Sequence, residues 1–105
     1  MATQNDDDLP VTHRLDAYTW SNEETAAYEA AIEAVNGAVG AYSALIAAER
    51  RRTRPDSAVI DDAHSAQTQL ARERERLSST DPEQIAWARA HYPQLAGEIR
   101  ARTAP

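Results

Sequence analysis

The chain has 105 residues, with 17 acidic side chains against 11 basic ones, a formal net charge of -6 and a pI near 4.9. That length suits one small domain with a thin core, so an all-helical monomer is marginal and oligomerisation is one way to bury more. The acidic balance argues against general nucleic-acid binding, and the absence of Cys excludes a disulfide framework or a Cys-based zinc site.

Residues 1–15 show no period and carry the run Asp6, Asp7, Asp8. They read as a disordered acidic arm, followed by a single helical domain over residues 16–105. The polar, acidic start is unlike a signal peptide, and no apolar run is expected to span a bilayer. We therefore expect no membrane partner and a cytoplasmic location.

"SNEE" opens the first strong element. Ser21 and Glu24 have the spacing of a capping box, and Tyr18 and Trp20 stand just before it, where Trp20 suits a hydrophobic staple. Beyond the cap, Tyr28, Ile32, Val35, Val39, Tyr42 and Ile46 recur at alternating steps of four and three, on one stripe of a helix. Ala31, Ala34, Ala38, Ala41, Leu45 and Ala48 form a second stripe beside it. This spacing predicts a helix over about 22–52. Gly37 and Gly40 inside it suggest close approach by another helix, or a kink.

"AAERRRTRPDSA" follows, with Arg50, Arg51, Arg52 and Arg54 just ahead of Pro55. Cations at a helix C-terminus complement its dipole, so helix termination is sufficient to explain them. The functional alternative is a site for an acidic partner, because guanidinium forks match carboxylates and phosphates. The cluster lacks the interleaved aromatics of a nucleic-acid surface.

Pro55 and Asp56 start a second helix over about 55–77, with Val59, Ile60, Ala63, Ala66, Leu70 and Leu77 as its apolar face. "RERER" near its end reads as a solvated face of paired charges. Asp81, Pro82 and Gln84 then cap a third helix over about 82–102, whose stripe is Ile85, Ala88, Tyr92, Leu95 and Ile99. Pro93 interrupts it, so a kink or two short helices are expected. Trp87 lies off that stripe. It either packs on the Ala/Gly surface of the first helix or anchors a partner.

The expected fold is all-α: a long antiparallel helical hairpin plus a shorter, kinked C-terminal helix, with the bundle completed by dimerisation. The Ala-rich stripe of Ala31, Ala34, Ala38, Ala41 and Leu45 is the expected dimer contact. No nucleophile motif or glycine-rich phosphate loop is present, so no enzyme activity and no cofactor are expected. The expected function is a protein-interaction module, such as a regulator, an inhibitor or immunity-type protein, or a subunit of a larger assembly. Its partners are a second copy and an unidentified protein, with Arg50, Arg51, Arg52, Arg54 and Trp87 as the contact residues. The alternative is a metal-binding helical protein of ferritin-like character, with Glu49, Asp61 and His64 as ligands. Asp61 and His64 share a helix face, and Glu49 is the acid within reach. Arginine without lysine and abundant alanine suggest a high-GC bacterial source.

Overall fold

The computed structural model describes the backbone of residues 11–104 and the side chains of residues 22–104. Most of the expected acidic arm, residues 1–10, lies outside the described residues. The rest forms three helices: α1, Val11–Arg50; α2, Ser57–Glu75; and α3, Pro82–Thr103. The protein is all-α, a small bundle in which α1 packs against both α2 and α3.

α1 is the spine. Its 40 residues make a rod of about 60 Å, and the molecule measures 80 × 24 × 19 Å. α2 runs antiparallel to it. Gln67 Nε2 donates to the Val39 carbonyl at 2.9 Å and to Ser43 Oγ at 2.8 Å, and further along α2 Arg74 donates to Asn36 Oδ1. α3 runs parallel to α1. Its start, at Pro82 and Ile85, shares a cavity with Glu23, Glu24 and Ala27, and near its end Arg100 Nη2 reaches the Gly37 carbonyl at 3.5 Å. One core unites the helices: Ala31, Val35, Ala38 and Leu45 of α1, Ala63 and Leu70 of α2, and Ile85, Tyr92 and Ile99 of α3 are all buried.

The two stripes of α1 serve the two neighbours. The Val39–Tyr42–Ile46 stripe faces α2, and the Ala-rich stripe faces α3. This corrects the expected dimer contact. Ala31 and Ala38 have no exposed surface, Ala41 and Leu45 are buried, and Ala34 is half-buried, all within one chain. Small side chains let α3 lie close, and α3 is long enough to cover the stripe.

Helix boundaries differ where local signals competed. α1 starts at Val11, well before the expected cap, so residues 11–15 are helical and Ser21 lies inside the helix. No Gly or Pro interrupts residues 11–21, and a continuing helix satisfies with its own carbonyls the N–H groups a cap would serve. The side chains of Tyr18, Trp20 and Ser21, and the staple expected of Trp20, lie outside the described residues. α1 ends at Arg50, after which Arg51 N–H bonds Ala48 O at 3.2 Å and Arg52 N–H bonds Glu49 O at 3.1 Å. Asp56, rather than following a helical Pro55, is itself the N-cap of α2: its carboxylate accepts from Ala58 N–H at 2.9 Å.

α3 runs unbroken through Pro93. Pro93 lacks an N–H for the Arg89 carbonyl, but both residues lie on the exposed face, where water can take that bond. Tyr92 and Ala96 anchor the helix on either side. Gly37 and Gly40 mark no close approach either, since a Cβ on either would meet nothing within 4 Å. Gln84 also departs from the reciprocal capping box. Its N–H bonds Asp81 Oδ1 at 3.1 Å, yet its side chain reaches back to α2, accepting from Ser78 N–H at 2.8 Å and donating to Arg76 O at 3.0 Å.

Candidate functional site

The hairpin tip is built around Glu49. It is 6% exposed and is the buried charged side chain among the described residues. Its carboxylate accepts from Asp56 N–H at 2.9 Å and from Arg52 Nη1 at 3.2 and 3.3 Å. One carboxylate thus joins the end of α1 to the cap of α2. Arg52 belongs to this turn, although its side chain is 64% exposed. Arg50, Arg51 and Arg54 are exposed, and Arg52, Thr53 and Arg54 line a shallow concavity of about 440 Å³. The tip remains basic and open, but one of its four arginines has a structural task.

Trp87 sits at the other end of the bundle, on the outer face of α3. It is 55% exposed and does not pack on the Ala/Gly surface of α1. His91, one turn on, stacks beneath it with ring centroids 4.3 Å apart and planes 17° apart. Tyr92 meets it edge-on at 5.5 Å. Glu73, Arg76, Leu77 and Gln84 complete a hollow of about 250 Å³ beside the end of α2. The indole is therefore held by its neighbours while one face stays open. The four-residue step from Trp87 to His91 was the sequence signal for this stack. Tyr92 donates to Glu73 Oε1, and its phenol pKa is pushed well above the ordinary value by burial first, then by the bond to Glu73 and its charge.

Trp87 and the arginines cannot form one surface. Trp87 lies beside Arg76 and Leu77 at the far end of α2, whose 19 residues start at the tip, so the two are roughly 30 Å apart.

A third feature lies where α2 stops. Beyond Arg74 and Glu75, the α2-facing stripe of α1 continues through Ile32 and Tyr28 without a helix over it. An open groove of about 700 Å³ results, lined by Tyr28, Ile32, Glu29, Glu33, Arg74 and Glu75. Both apolar side chains are half-buried. The sequence showed the stripe but not how far α2 would run along it.

The alternative metal ligands do not converge. Among the described residues no three His, Asp or Glu side chains are placed to hold an ion. Glu49 is buried in the hairpin turn, whereas Asp61 and His64 are exposed on α2.

One membrane expectation needs correction. Among the described residues, Asn22–Arg50 is long and apolar enough to cross a bilayer. Its alanines, valines, isoleucines and leucine give it this character, and one third of an apolar 18-residue run within it is buried inside the bundle, against α2 and α3. A helix at the centre of a bundle meets the same criterion.

The chain matches no protein-family model, no curated protein and no solved structure.

Proposed function

We propose that the protein is a non-enzymatic helical interaction module that binds a partner protein through the Trp87 patch. One observation carries this reading: Trp87 is the exposed large hydrophobic side chain among the described residues, and it is braced by His91 and Tyr92. A braced indole loses little conformational freedom on binding and offers a wide apolar face. Arg76 and Glu73 border it and supply polar contacts of both signs. The partner is a protein with an apolar pocket wide enough for an indole. The hairpin tip, with Arg50, Arg51 and Arg54, is a separate basic surface that steers acidic partners without anchoring them.

Trp87→Ala tests the reading. The variant should keep its helical dichroism and melting temperature, because the side chain lies outside the core. Affinity capture from the native host should recover a protein with wild type and with Arg50→Gln/Arg51→Gln, and lose it with Trp87→Ala. Equal recovery by all three would refute the assignment.

A further inference from the structure

We propose that two copies of this chain associate about a two-fold axis. The first three turns of α1 in each copy fill the groove that α2 leaves open in the other. The occupant is a second copy, and length, direction, spacing and charge each favour it.

Length comes first. The last turn of α2 meets α1 at Asn36 through Arg74 and borders Tyr28–Glu33 on one side through Arg74 and Glu75, so α2 flanks this stretch of α1 without lying over it. On the far side of that stretch, α1 continues as helix from Val11 to Ser21, ahead of the start of α3 at Pro82. Of the α2-facing stripe, Tyr28 and Ile32 stay half-buried there, and Val35, where the cover of α2 begins, is fully buried within one chain. In an antiparallel pair of α1 helices centred near Glu23, Val11–Ser21 of one copy lies along Thr25–Val35 of the other. The projecting turns then end about where α2 begins to cover α1, and they continue its line in the direction α2 itself runs.

Spacing agrees. The α2-facing stripe of Ile46, Tyr42, Val39, Val35, Ile32 and Tyr28 continues upstream at the same steps of three and four through Thr25, Ser21, Tyr18 and Arg14. In the antiparallel register, position 18 falls opposite Tyr28, position 14 opposite Ile32, and position 21 opposite Thr25. Small residues at the axis permit close approach, and larger ones lie on each side of it. The same contacts occur twice, as a closed two-fold dimer requires.

Charge agrees as well. Glu29, Glu33 and Glu75 border the groove. Position 14, which falls between Glu29 and Glu33 of the other copy, is an arginine. A parallel pairing in register would bring each acidic border against itself.

Three measurements on the full-length chain test the model. Sedimentation equilibrium at high micromolar concentration should give twice the monomer mass of 11.6 kDa. Ile32→Glu should weaken that association at least tenfold while keeping the helical signal. The chain has no native Cys, so Ser21→Cys is a clean probe of the axis. Two such residues stand roughly 10–12 Å apart in this register, within reach of a short bis-maleimide linker. Asp62→Cys, on the outer face of α2 and far from the axis, should not cross-link. A monomer at that concentration overturns the proposal, as does a dimer whose Asp62→Cys sites link and whose Ser21→Cys sites do not. Trp87→Ala should leave the dimer unchanged, so this proposal and the partner reading fail separately.

Discussion

The Tyr92 hydroxyl donates to Glu73 Oε1 across 2.5 Å, a polar tie between the middle of α3 and the last turns of α2. Tyr92 is buried, and Glu73 also accepts from Gln69 at 3.1 Å. Tyr92→Phe keeps the ring in the core and removes the donor. A hydrogen bond to a charged acceptor contributes about 1.5–3 kcal/mol, and the half-buried Glu73 recovers part of that from water. The expected loss, read from urea unfolding, is about 1–2 kcal/mol.

The same pair sets an alkaline limit. The folded Tyr92 holds its proton above the ordinary tyrosine value of about 10. The unfolded chain ionises first as the pH rises past that value. The stabilisation is therefore complete below about pH 10 and declines as the pH climbs toward the folded pKa. Urea midpoints at about pH 9 and pH 11 should fall more for wild type than for Tyr92→Phe. Parallel declines would disprove this account.

Glu49 should matter more than the arginines around it. Glu49→Ala leaves Asp56 N–H without its acceptor in a partly buried turn and should cost about 1–3 kcal/mol. Glu49→Gln keeps an acceptor and should cost less. Arg52 is largely exposed, so Arg52→Gln should cost about 1 kcal/mol or less. Arg51→Gln should change stability by no more than about 0.5 kcal/mol. Chemical denaturation of the four variants gives the order directly, and an arginine change that outranks Glu49→Ala would contradict it.

Gly40→Ala should stabilise the fold. The position is exposed in mid-helix, and an added Cβ meets nothing within 4 Å. Helix propensity alone predicts a gain of about 1 kcal/mol, and a rise in Tm of roughly 4–8 °C for a domain of this size. An unchanged or lower Tm would mean that another chain approaches α1 there.

Ala38→Glu separates the two possible roles of the Ala-rich stripe. Ala38 has no exposed surface within a single chain. An unpaired carboxylate there should unfold the protein or cost more than about 3 kcal/mol, rather than merely dissociate a dimer. A folded, helical monomer of this variant would show that α3 does not cover the stripe.

Much of the architecture was legible. The steps of α1 from Tyr28 to Ile46 and from Ala31 to Ala48 defined its two stripes, and Asp81–Pro82 marked the start of α3 because the cap and the proline agreed. The start of α1 was misread because "SNEE" resembles a cap, while the absence of any breaker between Val11 and Ser21 carried equal weight. Pro93 leaves a kink or two short helices open in the sequence, and packing at Tyr92 and Ala96 on either side keeps α3 one continuous helix. The open groove was beyond local reading. It depends on where α2 ends relative to Tyr28 and Ile32, a relation across the chain that no spacing within one helix encodes.

α1 carries both neighbours, whereas α2 and α3 approach each other mainly through side chains such as Leu70, Leu95, Glu73 and Tyr92. The two docking faces also differ in how far the chain must travel to make them. Gln67 returns to Ser43, 24 positions back, but Arg100 returns to Gly37, 63 positions back. Loop closure favours the nearer pairing, so the α1–α2 hairpin can form first, with α3 adding afterward. In the folded state the order of strength is the reverse, because α3 buries Ile85, Ala88, Tyr92, Ala96 and Ile99 whereas α2 buries Ala63 and Leu70. Amide exchange should then divide the chain, with the α2 amides opening together at lower free energy than those of α3. The helix that docks first is thus also the first to leave, and assembly and local opening begin at the same seam.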